Sequence, residues 1–297
     1  MAATAGGGGH GPSDISTRGW WSVLRRVARS TFEDDLWGVS AGVAFYAWFA
    51  AVFGLMFLVS TYGLFVASET VRGQIEALNG LLPDEATHFL ADQMQAVAAA
   101  SSFRLGSAVG GSFLAALWSA RAALATLIAA LNITYDERED RHFLHLQTVT
   151  LALTAGAVVF GAAVFAITVL LPAIVDTMSI SPTAKIVLST GRWPALAVLM
   201  VFGLAALYRF APCRRAMPSW RWVNGGAVVA TVLWLLGSVG FSYYVTHFST
   251  TSRIFGALGT VLVLQTWFYI SAFAVLIGAR LNAEMERQNV GENSPRA

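Results

Sequence analysis

The side chains able to do chemistry are few, and they stand in apolar surroundings. Arg121, in ALWSARAALATLI, lies well inside an apolar run. In lipid such a charge costs on the order of 3 kcal/mol or more unless it snorkels or finds a partner. It therefore reads in two ways: as a functional contact to an anion, or as a structural arginine that caps carbonyls or pairs with an acid. Trp118 stands one helical turn before it, Gln265 near the middle of the last apolar run, and Asn132 and Asn282 at the ends of two such runs. These five residues are the candidates for lining a substrate cavity, although Gln265 serves equally as an interhelical hydrogen bonder. His142 and His145 share a helix face but have no further metal ligands beside them, so they read as interfacial polar residues. The chain has no GxxxxGK[ST] and no HExxH, and its acids fall in loops rather than as an inward-facing pair. Cys213 is the single cysteine, which excludes an internal disulfide and any CxxC or zinc pattern. No catalytic centre, metal site or cofactor is expected.

Long apolar helices must hold these residues in place. The chain has 297 residues, of which 56% are hydrophobic and only 12% charged, with a mean hydropathy of +0.60. That leaves too few ionisable side chains to coat a soluble globule, whereas lipid solvates apolar surface directly. The sequence predicts an all-α integral membrane protein with spans at about 36–66, 105–131, 144–171, 186–210, 223–245 and 254–281. Small residues at four-residue spacing, Gly38 with Gly42 and Gly106 with Gly110, would let the first two spans approach closely, and Gly256, Gly259 and Gly278 mark the packing face of the last.

Outside the spans, residues 1–19 form a Gly/Ser-rich tail expected to be disordered, and 287–297 a second tail. Residues 20–31 set Trp20, Trp21, Leu24, Val27 and Ala28 against Arg25, Arg26 and Arg29, the pattern of a helix lying in the membrane interface. Ser68 to Phe103 reads as two amphipathic helices over the outer face, serving as a structural lid or a gate. The stretch YRFAPCRRAMPSWRWV carries Arg209, Arg214, Arg215 and Arg221 with Trp220 and Trp222. It is expected to meet lipid headgroups, not nucleic acid, and the net charge of +2 agrees. If the N-terminus is cytoplasmic, 13 of the 19 Lys and Arg residues fall on the inside and 5 outside, with Arg121 in a span. That bias favours both termini inside. An offset of 150 positions, 106 to 256, also lays Asn132 on Asn282 and suggests that the hairpins of spans one-two and five-six are equivalent units.

The chain resembles the YihY/BrkB family of bacterial inner-membrane proteins, historically labelled ribonuclease BN. The resemblance rests on Asp34, Asp35, Ala41, Gly42, Ala44, Phe45 and Tyr46, on LWSARAAL followed by Asn132 and Tyr135, on Tyr208, Arg209, Phe210 and Pro212, and on an ending that includes Gly256, Gly259, Trp267, Tyr269, Gly278, Leu281, Asn282 and Glu284. Phe255 replaces a usual tyrosine, and the first span lacks a usual proline near Val52 to Gly54. The resemblance implies a six-span protein of the bacterial inner membrane, linked to envelope integrity or to export of amphipathic molecules. Two functions stand as expectations. One is a transporter or flippase for an amphipathic substrate. The other is a non-transporting scaffold that binds membrane lipids, a second copy of itself or an envelope partner protein. Nothing in the residues supports a ribonuclease.

Overall fold

The computed structural model describes residues 17–65, 102–177, 181–214, 220–248 and 257–293. The helices are α1 (Thr17–Glu33), α2 (Leu36–Phe65), α3 (Ser102–Tyr135), α4 (Phe143–Phe165), a π-helical turn (Ala166–Leu170), α5 (Leu171–Thr177), α6 (Pro182–Phe210), α7 (Trp220–Phe248) and α8 (Ala257–Asn293). Among the described residues, six stretches are long and apolar enough to cross a membrane: Leu36–Thr61, Gly106–Tyr135, Phe143–Thr168, Thr183–Phe210, Asn224–Val245 and Val261–Gln288. α1 packs against the last turns of α8, and the end where they meet is here termed the termini end. The expected amphipathic helices within Ser68 to Phe103 fall almost wholly outside the described residues, as do Gly256 and Arg215.

The chain divides into two compact units, one of residues 1–44 with 124–297 and one of residues 45–123. In the larger unit the buried core gathers at the termini end. Ile128, Leu131 and Tyr135 come from the last turns of α3, Leu204 and Tyr208 from the last turns of α6, and Leu276, Ala279 and Ala283 from the last half of α8. Ala227 and Ala230 come from the first turns of α7, and Leu146, Val149 and Leu153 of α4 pack against the cluster. Toward the far end the same helices turn apolar side chains outward, among them Val159, Trp193, Leu236 and Val239, each more than 60% exposed. Lipid is a good solvent for that surface, so the packed end depends on close backbone approach and hydrogen bonds more than on hydrophobic burial.

The closest approach is between α7 and α8. A Cβ built on Gly278 would lie 2.5 Å from the carbonyl oxygen of Gly226, 2.6 Å from Ala230 Cβ and 2.7 Å from the Tyr208 hydroxyl, and one built on Gly226 would run into the Gly278 carbonyl. Gly278 is thus a packing glycine, as its position suggested, and its partner Gly226 belongs to the run of small residues that opens α7. Gly259 is buried, and a Cβ on Gly42 would touch Thr126 Cγ2 at 3.6 Å, ordinary contact. Gly106 and Gly110 differ from expectation. Both are exposed, and no described atom lies within 4 Å of a Cβ added to either. Among the described residues, their small size serves no close helix contact.

Two further boundaries move. α8 continues to Asn293, so the first part of the expected tail is helix. α1 runs from Thr17 to Glu33 and docks on the protein: Val23 and Val27 pack with Leu281 and Met285 of α8, while Trp21 and Leu24 stay exposed. Its buried stripe recurs every four residues, the spacing of one helical face.

The smaller unit carries an aromatic row along α2. Phe45 meets Phe49 edge-on at 4.9 Å, Phe49 stacks toward Phe53 at 5.9 Å, and Phe57 and Phe113 lie 5.2 Å apart across α2 and α3. Offset and edge-to-face pairs of this kind supply specific contact where apolar burial supplies little.

Candidate functional site: an ion-pair cluster at the termini end

Two helix ends, the α1–α2 turn and the body of α1 bring six charges together. Asp34 and Asp35 form the turn between α1 and α2, where Asp35 adopts a positive φ of 46° and accepts a hydrogen bond from the Gly38 N–H at 3.3 Å. Asp tolerates that backbone because its short side chain bonds locally. At the end of α3, Asp136 has φ 54°; its N–H donates to Ile133 O, and the Glu137 N–H donates to Asn132 O at 2.9 Å. That is a Schellman ending, and it projects the Asp136 carboxylate back over the helix terminus. The last turns of α8 supply Arg280, Glu284 and Arg287, and α1 supplies Arg26.

Arg280 is the hub, its side chain 5% exposed. Its Nη1 lies 3.1 Å from Asp34 Oδ2 and 3.4 Å from Asp136 Oδ2, and it donates to the Thr134 carbonyl at 2.7 Å. Its Nη2 lies 3.5 Å from Glu284 Oε1. Glu284, 1% exposed, also accepts from Arg26 Nε at 2.7 Å and from Arg287 Nη1 at 3.1 Å. Arg287 also pairs with Asp136. Three cations face three carboxylates, so the cluster carries no net charge; Arg280 and Glu284 are buried at its centre, while Arg26, Arg287 and Asp136 reach solvent. It joins α1, the α1–α2 turn, the end of α3 and α8.

A second set of polar contacts ties the neighbouring elements. Arg141 grips Glu139 through both nitrogens of its fork, at 2.7 and 2.6 Å, and donates to the Ala211 carbonyl at 3.0 Å. These hydrogen bonds hold the Glu139 carboxyl well below its usual range, at about 2. Arg214 lies 2.9 Å from Glu286 and sits 3.8 Å over the Tyr135 ring. The Tyr208 hydroxyl donates to Val275 O at 2.6 Å, linking α6 to α8.

The cavity candidates are dispersed. Asn132 and Asn282 are 5% and 0% exposed and belong to the packed end. Asn132 Oδ1 accepts from the Cys213 N–H at 2.8 Å and its Nδ2 donates to Glu139 at 2.7 Å. Asn282 Oδ1 accepts from the Gly226 N–H at 2.7 Å and its Nδ2 reaches the Tyr135 hydroxyl at 3.4 Å. Their amides serve backbone and neighbouring side chains, so both are structural hydrogen bonders rather than cavity residues. The two asparagines paired by the 150-residue offset do share one device, since each turns its oxygen onto a backbone N–H of another segment. Trp118 is 61% exposed with its ring edge toward Tyr46 at 6.4 Å. Gln265 is half-buried. Arg121 is half-buried and partnered, as a charge at that depth requires.

The headgroup arginines also divide. Arg214 is only 8% exposed and committed to Glu286 and Tyr135, so it faces the protein and not a lipid surface. Arg209 stands half-buried 5.8 Å from the Phe210 ring, and Arg221 lies in the first turn of α7. Arg26, expected to point toward lipid, pairs with Glu284 instead. Sequence reasoning misses the role of Arg280 and Glu284, because Arg280 enters it only through the charge count that sets topology. The available signal is their spacing: an arginine and a glutamate four apart, just where an apolar run ends, with an acidic pair preceding the first span.

The chain belongs to the Virulence factor BrkB family, which matches residues 27–297. It is 31% identical over 201 residues to the ribonuclease-like protein YfkH of Bacillus subtilis, covering 65% of this chain and 71% of that one. It is 27% identical over 259 residues to a UPF0761 membrane protein of Pseudoalteromonas atlantica, covering 84% and 81%, and 31% identical over 173 residues to another from Idiomarina loihiensis, covering 57% and 58%. No solved structure matches.

Proposed function

We propose that the chain is a transporter or flippase-like exporter of the bacterial inner membrane for an amphipathic, anionic substrate, with both termini in the cytoplasm. The observation that carries this reading is the asymmetry of the larger unit. At the termini end its helices close over a neutral ion-pair cluster and a glycine crossing, while farther along the same helices are loosely packed. Charges at helix ends are ordinary; what sets this end apart is that they pair across separate segments beside the tightest helix crossing. That suits a transporter, which keeps one end closed while the other is open. Ion pairs suit a seal that opens, since their partners find water when they separate. Arg121 is the charge within a span best suited to meet an anionic group, and transport draws on a gradient or a partner protein.

The test is translocation. Full-length chain reconstituted in vesicles with headgroup-labelled anionic lipid should speed exchange between leaflets over protein-free vesicles, and Arg121→Met should reduce that rate while reconstituting equally. Exchange equal to that of empty vesicles across anionic and amphipathic probes would overturn the reading in favour of a scaffold.

A further inference from the structure

Away from the seal, toward the far end of the larger unit, α5 and α6 enclose a cleft of about 170 Å³. Its origin in the sequence is a proline. Pro172 has no N–H to offer the preceding turn, and the helix meets it through the π-helical turn Ala166–Leu170, where the Leu171 N–H reaches back to Ala166 O. Wide turns of this type absorb a missing donor and re-aim the next stretch of helix. Here that stretch is α5, whose Pro172 and Val175 form the apolar wall of the cleft.

The opposite wall is polar and comes from α6. Lys185, Ser189 and Arg192 are spaced by four and then three residues, so they form one stripe on the helix face lining the cleft. Ser189 donates its hydroxyl to Ile186 O at 3.0 Å, which leaves its oxygen lone pairs directed outward. Arg192 Nε is shut off from solvent and has no hydrogen-bond acceptor among the described residues. Arginine keeps its charge in any surroundings, so a half-buried guanidinium that lines a cleft is stabilised by an anion bound there. Beside the cleft, Ile186 is 64% and Ile174 55% exposed, giving an apolar surface that adjoins the polar stripe.

We propose that this cleft binds the phosphate headgroup of an anionic membrane lipid, with Arg192 and Lys185 holding the phosphate and the acyl chains running over Ile174 and Ile186. Size supports a headgroup: 170 Å³ is below the roughly 300–1,000 Å³ of pockets that engulf whole drug-sized ligands. Chemistry supports phosphate, because a guanidinium fork and an ammonium on one face match its oxygens, with a serine oxygen beside them. The apolar flank selects a lipid over a free anion. The inference rests on the transport reading and deepens it by naming the substrate class and a binding site for it at the far end, and the binding is measurable without transport.

The experiment uses the full chain in nanodiscs and measures retention of labelled phosphatidylglycerol against phosphatidylcholine. Lys185→Gln with Arg192→Gln should weaken phosphatidylglycerol binding about tenfold or more, as expected for two charge-assisted contacts, and leave phosphatidylcholine unchanged. Lys185→Arg with Arg192→Lys keeps both charges and should bind within about twofold of the unaltered chain. Equal retention of the two lipids, or undiminished binding by the glutamine variant, overturns the site. Loss of binding in both variants alike also overturns it, because charge would then not be the cause. Complete displacement by millimolar inorganic phosphate overturns the lipid assignment. The two readings separate cleanly: selective binding without leaflet exchange removes the transporter and keeps the site, whereas leaflet exchange together with binding that the glutamine variant leaves undiminished removes the site and keeps the transporter.

Discussion

Replacing Arg280 by methionine tests whether the ion-pair cluster holds the termini end together. Methionine keeps much of the side chain's length and apolar contact while removing the guanidinium. The change deprives Asp34 of a cation 3.1 Å away, the Thr134 carbonyl of a 2.7 Å donor and Glu284 of one of its three arginines. Removing one partner of a buried pair costs about 3–5 kcal/mol when the other is stranded. Here Arg26 and Arg287 remain on Glu284 and Arg287 on Asp136, so the low end applies, about 3 kcal/mol. Arg26→Met removes a side chain that is 39% exposed, and solvent screening lowers its cost to about 1 kcal/mol. The assay is reversible unfolding of the purified full chain in mixed micelles, with Arg280→Met, Arg26→Met and the double variant read as a cycle. If Arg280→Met unfolds within about 0.5 kcal/mol of the unaltered chain, or costs no more than Arg26→Met, the cluster is not a clamp.

Gly278→Ala should destabilise the chain by roughly 1–3 kcal/mol, because its methyl meets Gly226 O and Ala230 Cβ with no room to relax. Gly161→Ala, where nothing lies within 4 Å, should be neutral or slightly stabilising in the same unfolding assay. The Glu139 carboxyl is lowered from 4.5 to about 2 by its hydrogen bonds to Arg141. Its contribution is therefore full above pH 4.5 and is lost as pH falls from there toward 2. Unfolding measured against pH should show that acid loss diminished in Glu139→Gln. Arg121→Met should insert and fold normally, as judged by monodisperse elution, and reduce leaflet exchange; full activity would make Arg121 structural.

The spans were legible because lipid imposes a simple rule: about 20 apolar residues for each crossing. Gly278 could be picked out because a glycine before the polar end of a span usually marks close approach. Gly106 and Gly110 satisfied the same spacing rule without close contact among the described residues, since sequence periodicity names a helix face but not what lies against it. The ion-pair cluster escaped for a related reason. Asp34, Asp136, Arg280 and Glu284 come from three separate stretches of the chain and sit at helix ends, where charges are ordinary. Only the Schellman ending at Asp136 and the α1–α2 turn bring them together. Arg214 shows the converse, a residue in a basic loop that topology assigned to headgroups and that Tyr135 and Glu286 draw inward.

Transport of the proposed kind requires the termini end to open as a gate. Ala279 is fully buried beside the Arg280 cluster. With Cys213 replaced by serine, Ala279→Cys becomes the only thiol of the chain, and its labelling by a membrane-impermeant maleimide added on the termini side reports opening directly. The account expects no labelling in phosphatidylcholine vesicles and progressive labelling when phosphatidylglycerol is present and being exchanged between leaflets. Exchange that proceeds at full rate while the Ala279→Cys thiol stays unlabelled would contradict it.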